Sequence, residues 1–131
     1  MKKFLTNNGI YLLAAIAVFA FAFIRKGDQL SAKDFSQKMN NAAHAQVLDV
    51  RTPEEFREGY IKGAINIDWQ GSDFNSKVTK LDKAKPVFIY CHSGRRSSSA
   101  ASEMRAMGFK EVYELKDGIM GWQAFDLPVV R

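Results

Sequence analysis

The sequence contains one cysteine, two histidines and three prolines among its 131 residues. A single cysteine cannot form an intramolecular disulfide, which excludes a disulfide-stabilised fold. One thiol and two distant imidazoles provide too few soft ligands for a structural zinc site, so we expect no bound metal. What is present is typical of a folded globular protein, because 47% of the residues are hydrophobic and 25% are charged.

The excess of positive charge is concentrated at the N-terminus. The formal charge of the chain is +5, and residues 1–26 contain four basic residues and no acid. Fifteen basic and fourteen acidic side chains remain over residues 27–131. A nucleic-acid-binding domain usually carries a clustered positive face. The nearly neutral body therefore indicates that nucleic acid is not a partner.

Residues 10–24 form an uninterrupted run of fifteen apolar residues, preceded by Lys2 and Lys3. This arrangement is typical of a secretory signal or a short membrane anchor. As a helix the run would span roughly 23 Å, less than the roughly 30 Å of a bilayer core, so its length does not decide between the two. A small-residue cleavage pattern at residues 20–22 lies inside the run, and the basic pair that follows favours retention.

We therefore expect two parts in the chain: a signal peptide or membrane anchor over residues 1–26 and a single domain over residues 27–131. The N-terminal amine and two lysines slightly outweigh the basic pair after the apolar run. By the positive-inside rule the N-terminus stays in the cytoplasm and the domain is exported. The predicted location is membrane-anchored or periplasmic.

Helical and strand signals alternate through the predicted domain. After a short linker at residues 27–29, strands are predicted at residues 45–50, 64–67, 87–90 and 111–115. Helices are predicted at residues 32–41, from 53 to before Gly59, and at 74–81, 97–107 and 119–125, before an extended tail. This order predicts an α/β fold, a small parallel sheet with helices on both faces. Ligands of such sheets bind at the carboxyl ends of the strands.

The loop after the strand at residues 87–90 carries the reactive groups. Cys91 directly follows that strand, and the backbone N–H groups of residues 92–97 can converge on one point if Gly94 adopts a positive φ. Thiolates are stabilised at helix N-termini and beside cations, and Arg95 and Arg96 provide positive charge. These features indicate a nucleophilic cysteine in an anion-binding loop.

The sequence of the loop does not by itself exclude other roles for these residues. Most free cysteines are small buried hydrophobes, but the polar run from His92 to Arg96 favours a reactive thiol. His92 is expected to shape the pocket rather than act as a general base. Hydroxyl donors could come from Ser93, Ser97 and Ser98, and Ser97 is also a candidate helix N-cap. His44, after the first predicted helix, is expected to be exposed.

Five segments resemble the rhodanese-type sulfurtransferases. Residues 91–97, CHSGRRS, resemble the active-site loop of that family, and the other matching segments are 47–51, 54–56, 63–67 and 118–122. The resemblance covers most of residues 31–126. Two positions depart from the family pattern, since Tyr60 stands where the family often has histidine and Lys62 where it often has proline. Both lie away from the cysteine loop.

The resemblance implies a rhodanese-like fold and a reaction. Cys91 would take a sulfane sulfur from a small anionic donor such as thiosulfate, become a persulfide and pass the sulfur to cyanide or a thiol. The loop residues His92 to Ser97 would bind the substrate, with the planar fork of Arg96 on the anionic group and Arg95 attracting the donor. No cofactor is implied.

Three alternatives compete with this interpretation. Cysteine phosphatases and arsenate reductases have five residues between the cysteine and the arginine of a related loop, whereas Arg96 follows Cys91 after four. A persulfide carrier or binding module, docking on a protein partner, would need the same persulfide without efficient turnover of free thiosulfate. A catalytically silent domain is the third alternative, and the intact loop argues against it.

Overall fold

The computed structural model describes residues 28–131. The predicted signal or anchor over residues 1–26 therefore lies outside the described part of the chain. Within residues 28–131, none of the helices is both long enough and apolar enough to span a lipid bilayer.

Strands and helices alternate along the described chain, as predicted. The strands are β1 (Gln29–Leu30), β2 (Gln46–Asp49), β3 (Ile65–Asn66), β4 (Val87–Tyr90) and β5 (Val112–Leu115). The helices are α1 (Ala32–Asn41), α2 (Pro53–Glu58), α3 (Phe74–Val78), α4 (Arg95–Ala106) and α5 (Gly118–Ala124).

The five strands form one parallel sheet in the order β1-β5-β4-β2-β3. Strand β4 lies at the centre, and all four of its residues are buried, as expected for a strand with both faces covered. The carboxyl end of β4 consequently meets the ends of β2 and β5 at one edge of the sheet. Cys91 follows β4 at this edge.

Helices cover both faces of the sheet, which confirms the predicted α/β class. One apolar cluster joins the sheet to α3 and α4 through Phe74, Val78, Ala100 and Met104. A second cluster joins the opposite face to α1 and α5 through Phe35, Ile119 and Trp122. The aromatic rings of Phe35 and Phe88 meet edge to face, with their centroids 5.4 Å apart.

Side-chain caps start α1 and α2 where the sequence predicted them. The Ser31 hydroxyl accepts a hydrogen bond from the Asp34 N–H at 3.2 Å. In α2, the Thr52 hydroxyl accepts from the Glu55 N–H and the Glu55 carboxylate accepts from the Thr52 N–H, both at 3.3 Å. This reciprocal capping box, with Pro53 in the first turn, fixes the start of α2.

Three local predictions were wrong. The segment predicted as a linker over residues 27–29 contains the start of β1, because Gln29 pairs with Glu114 of β5. Helix α3 ends at Val78 rather than Leu81, where a turn closes with a hydrogen bond from the Leu81 N–H to the Val78 carbonyl. Helix α4 begins at Arg95, two residues before its predicted start at 97.

Candidate active site

Cys91 lies at the carboxyl end of β4 and is almost completely buried, with 1% of the residue exposed. It belongs to the apolar cluster on the α4 face of the sheet. Its carbonyl oxygen accepts a hydrogen bond of 2.9 Å from the Ile119 N–H at the start of α5. The residue is therefore fixed on both sides: its side chain packs on the α4 face of the sheet, and its carbonyl group is bound by the amino end of α5.

Hydrogen-bond donors converge on the Cys91 sulfur. The Gly94 N–H donates to Sγ at 3.1 Å, and the Ser97 hydroxyl lies 3.4 Å from it. The backbone N–H groups of Ser93 and Ser97 also interact with the sulfur. The predicted amide loop around the thiol is confirmed, although the sulfur is more deeply buried than a loop position suggests.

These donors favour the thiolate. Burial raises the pKa of the Cys91 thiol. The hydrogen bonds from the Ser97 hydroxyl and from the N–H groups of Ser97, Gly94 and Ser93 lower it by a larger amount, so that the pKa lies below its ordinary value. Dipoles fixed in a buried site stabilise an anion more effectively than the same groups would in water. A protein sulfur atom in this position is prepared to act as a nucleophile.

Two glycines allow the cysteine loop, residues 91–97, to pack this tightly. Gly94 caps α4 with a φ of 105°, and a Cβ atom there would overlap the carbonyl oxygen of Lys116. Gly118, with a φ of 63°, lies against the backbone of His92 in the same way. The prediction of a positive φ at Gly94 is confirmed, and the close approach of the turn before α5 gives it a second reason.

Ser97 has a different position from the predicted one. It is not the N-cap of α4 but lies in the first turn of the helix, where it is fully buried. Its hydroxyl lies 3.2 Å from the Gly94 carbonyl oxygen and 3.4 Å from Cys91 Sγ. Because a hydroxyl has only one hydrogen and an anion is the stronger acceptor, we expect that hydrogen to face the sulfur when Cys91 is ionised.

Replacing Ser97 with alanine is predicted to weaken the thiolate while the fold is retained. The hydroxyl is the strongest of the groups that lower the pKa of Cys91, so its loss raises that pKa. A hydrogen bond to a charged group contributes about 1.5 kcal/mol, and the remaining thiolate becomes a stronger nucleophile as its pKa rises, so the rate of reaction with iodoacetamide at neutral pH should fall about threefold to tenfold. Ser99→Ala, an exposed change in the same helix, should leave the rate unchanged; equal rates for all three proteins would contradict the assignment.

Arg96 contacts Glu55, not an open substrate position. The two terminal nitrogens of its guanidinium donate to the two carboxylate oxygens of Glu55 at 2.7 and 2.9 Å. The sequence predicted that this fork would bind the substrate anion; the structure places it on the N-terminal turn of α2 instead. The hydrogen bonds from Arg96, together with its charge and the hydrogen bonds from Thr52, lower the pKa of Glu55 to about 2. Arg96 also lies close enough to Cys91 for the thiolate charge to raise the Arg96 pKa.

The pair of Arg96 and Glu55 predicts a pH-dependent stability. The pKa of Glu55 is lowered from its usual 4.5 to about 2 in the folded chain, so the stabilisation is complete above pH 4.5 and disappears as the pH falls towards 2. Since both side chains are partly exposed, Glu55→Gln should cost about 1 kcal/mol at neutral pH.

The measurement is urea unfolding of wild type and Glu55→Gln between pH 7 and pH 2. The difference in the free energy of unfolding should shrink across this window. Glu54→Gln is the matched control, since Glu54 is an exposed neighbour with no ion-pair partner among residues 28–131. A difference between wild type and Glu55→Gln that is independent of pH would contradict the ion pair.

A buried charged network supports the same edge of the sheet. Arg51 binds the Asp49 carboxylate at 2.7 Å and the Gly59 carbonyl at 2.7 Å. The Tyr90 hydroxyl accepts from the Ile61 N–H at 3.0 Å, and burial together with the Asp49 charge raises the Tyr90 pKa. The network ties the ends of β2 and β4 to the segment after α2. The sequence indicated only that Asp49 and Arg51 end a strand, not that they pair with each other.

The remaining predicted site residues lie on the outer side of the cysteine loop. His92, Ser93 and Arg95 are exposed, and Ser98 is partly buried. The Met120 N–H donates to the His92 carbonyl at 3.2 Å, so the backbone of the loop is fixed even where its side chains face solvent. His44 is exposed, as predicted. It lies apart from the site in sequence and adopts a φ of 58°.

Comparison with known proteins agrees with the geometry. Residues 31–125 match the family described as Rhodanese-like domain, and the chain therefore belongs to the rhodanese-like family. It is 28% identical to a protein of Allochromatium vinosum named "Sulfurtransferase", over 79% of this chain and 94% of that one. It is 32% identical to the "Putative sulfur carrier protein YrkF" of Bacillus subtilis, over 76% of this chain. The alignment spans 59% of the length of YrkF.

A solved structure has the same fold. A rhodanese-related protein from Thermoplasma volcanium matches with a TM-score of 0.66 and 30% sequence identity. The match covers 78% of this chain and 96% of that one. The five-stranded parallel sheet with its flanking helices is thus a rhodanese-like fold.

Proposed function

We propose that the protein is a sulfurtransferase that carries a sulfane sulfur as a persulfide on Cys91. The observation that supports this most directly is the convergence of Gly94 N–H and the Ser97 hydroxyl on a buried thiol. An anionic sulfur atom bound to Sγ would need the same kind of donors. The loop supplies backbone N–H groups from Ser93, Gly94 and Ser97 without further side-chain movement.

The proposed reaction has two displacement steps. In the first, the Cys91 thiolate attacks the outer sulfur of thiosulfate; a bond forms between the two sulfur atoms, and the bond to the sulfonate sulfur breaks. Sulfite leaves with the electron pair, and the negative charge of the thiolate becomes that of the persulfide. In the second step cyanide or a thiolate takes the terminal sulfur, and the electron pair of the broken bond returns to Cys91.

In the cysteine loop, the backbone and the side chains would have different roles. The N–H groups hold the sulfur anion, whereas the exposed side chains of His92, Ser93 and Arg95 face the entering substrate. Arg96, paired with Glu55, contributes less positive charge to the donor site than an unpaired arginine would. This neutralisation supports donors of lower charge than free thiosulfate, such as a protein persulfide.

A sulfur carrier is the second candidate, supported by the resemblance to YrkF and by the pairing of Arg96. Both candidates require a persulfide on Cys91, and they differ in turnover with a free donor. Steady-state formation of thiocyanate from thiosulfate and cyanide separates them. A rate no better than that of a free thiol, with a stable persulfide from another donor, would favour the carrier.

The test of the shared claim is the intact mass of the full chain after exposure to thiosulfate. Wild type should gain the mass of one sulfur atom, whereas Cys91→Ala should gain none. A protein persulfide donor is used in parallel, because a carrier need not accept thiosulfate. If neither donor adds sulfur to wild type, or if Cys91→Ala gains it equally, the proposed function is wrong.

We also propose a location for the chain. The apolar run at residues 10–24, with basic residues at both ends, would direct the rhodanese-like domain across a membrane and keep it attached there. Fractionation of cells expressing the full chain tests this. The protein should sediment with membranes and resist carbonate extraction, and residues 27–131 expressed alone should not. Recovery of the full chain in the cytosolic fraction would contradict the proposal.

A further inference from the structure

The loops that precede the strands meet at the edge of the sheet opposite Cys91, where they form one surface. The Lys110 N–H, two residues before β5, donates at 3.1 Å to the Lys83 carbonyl in the loop before β4. The Gln46 side chain, at the start of β2, donates to the Asp82 carbonyl of the same loop at 2.8 Å. We name this surface the amino edge and define it by residues 80–86, residues 110–111 and Lys38.

Five exposed lysines give the amino edge a positive charge: Lys38, Lys80, Lys83, Lys85 and Lys110. Lys38 lies in the last turn of α1 and lines one cavity with Pro86 and Glu111. The acids of the amino edge are Asp82 and Glu111, and Asp82 pairs with Lys85 at 3.5 Å. Residues 27–131 contain fifteen basic and fourteen acidic side chains. With five and two of them at the amino edge, the rest of the domain has more acid than base.

The chain enters the domain beside the amino edge. The Asp28 carboxylate lies 3.5 Å from the Arg105 guanidinium, in the last turn of α4. Arg105 also donates to the Glu114 carboxylate at 2.9 Å and to the carbonyl of Val112, the first residue of β5, at 2.8 Å. Gln29 then pairs with Glu114 in the sheet. The excess negative charge of this cluster is mostly buried, whereas the lysines of the amino edge are exposed.

Helix α4 separates this entry point from the cysteine loop. Arg95, in the cysteine loop, begins α4, and Arg105 lies about 15 Å farther along the helix axis. Ile24, the last residue of the apolar run, is four positions before Asp28, so their Cα atoms are at most about 14 Å apart. A membrane that contains residues 10–24 is therefore within reach of the amino edge, and the cysteine loop lies at the other end of α4.

The charge of the amino edge favours the same orientation. Anionic lipid headgroups attract lysines within about 10 Å of the membrane surface, and about four to eight basic residues beside a membrane segment are typical of lipid binding. Arg25 and Lys26 add two basic residues between the apolar run and Asp28. We propose that the amino edge binds the anionic headgroups of the membrane that holds residues 10–24. This inference rests on the membrane location proposed above.

The proposed orientation decides which molecules reach Cys91. With the amino edge on the headgroups, the cysteine loop faces away from the lipid and into water. Sulfur donors and acceptors would then be small anions or soluble proteins rather than molecules dissolved in the bilayer.

The first test locates both edges of the sheet relative to the membrane. Full-length Cys91→Ala carries one new cysteine with a fluorophore, either Ala84→Cys at the amino edge or Ser93→Cys in the cysteine loop, both exposed positions. The protein is reconstituted into vesicles of phosphatidylcholine and phosphatidylglycerol with a nitroxide on some headgroups, which quenches fluorophores in near contact. The label at position 84 should lose most of its emission and the label at 93 little. Equal quenching at the two positions, or none at either, would overturn the inference.

The second test asks whether the lysines hold this orientation. Lys83→Gln/Lys110→Gln should lower the ratio of quenched to unquenched label at position 84 about tenfold in the anionic vesicles. Vesicles of phosphatidylcholine alone should lower it similarly for the unchanged amino edge. The matched control is Lys33→Gln/Lys116→Gln, which removes two exposed lysines at the carboxyl ends of β1 and β5 and should have no effect. Quenching at position 84 that depends on neither the lysines nor the lipid charge would overturn headgroup binding.

The membrane location and the binding surface fail in different ways. If the full chain does not float with vesicles of either composition, the location is wrong and the inference falls with it. If it floats with both and the label at position 84 stays unquenched, the location stands and the inference is wrong. The amino edge would then be free for an acidic partner in solution.

Discussion

Replacing Cys91 with serine is expected to lower sulfur transfer by roughly a thousandfold or more, because a serine hydroxyl is not ionised at neutral pH and forms no persulfide. The chain contains no second cysteine that could take over. The assay is thiocyanate formation from a persulfide or thiosulfate donor, with Cys91→Ser compared to wild type at equal protein concentration.

The matched measurement is the stability of Cys91→Ser. Serine differs from cysteine by one atom, and the Gly94 N–H that faces Sγ can donate to its oxygen. The free energy of unfolding should therefore change by about 1 kcal/mol or less, so that the loss of activity is chemical. Retention of more than a tenth of the wild-type rate by a folded Cys91→Ser would contradict the role of the thiol.

Gly94→Ala is expected to have the largest effect on stability of the changes considered. A Cβ at this position would overlap the Lys116 carbonyl oxygen, and the φ of 105° is unfavourable for alanine. The loop would have to move away from the turn before α5, which also removes the Gly94 N–H from the sulfur. We expect a loss of at least 3 kcal/mol in urea unfolding, together with a loss of thiolate reactivity.

Gly108→Ala separates the two causes. Gly108 has a similar φ of 99°, but no atom lies within 4 Å of the Cβ that alanine would add. It should lose only about 1–2 kcal/mol, the cost of the backbone conformation. The difference between the variants measures the overlap with Lys116. If Gly94→Ala and Gly108→Ala lose the same free energy of unfolding, the turn before α5 does not restrict the side chain at position 94.

Local patterns in the sequence were sufficient for most of the fold and for the position of Cys91 in a loop of hydrogen-bond donors. The capping box at Thr52 and Glu55 and the cap at Ser31 act within one helical turn, so their residues are adjacent in the sequence as well as in space. Cys91 and Gly94 belong to one loop, and the positive φ that the loop needs is that of Gly94 itself. Such features can be predicted because no distant residue competes for the same groups.

The partner of Arg96 could not be predicted from the loop alone. Glu55 is separated from it by 41 positions, and only the packing of α2 beside the start of α4 brings the two side chains together. The sequence identified each residue for a local reason, Glu55 as a capping residue and Arg96 as an anion binder. Neither reason identifies the other residue as a partner, so the neutralisation of the Arg96 charge was not foreseen.

Two other features depend equally on tertiary structure. Ser97 resembled an N-cap because serine is common there, but the positive φ of Gly94 lets α4 begin two residues earlier. The cavity lined by Arg51, Arg57, His92, Gln123 and Arg131 combines residues from five separate segments that meet only when the sheet forms. A pattern within any one segment contains no sign of it.

Folding lowers the pKa of Cys91 despite its burial. Because this is the single cysteine of the chain, thiolate absorbance at 240 nm reports on it alone. The pH titration is compared between the folded protein and the same chain unfolded in urea, with Cys91→Ala subtracted in each condition. The folded thiol should ionise at the lower pH. Ionisation at the same or a higher pH in the folded protein would contradict it.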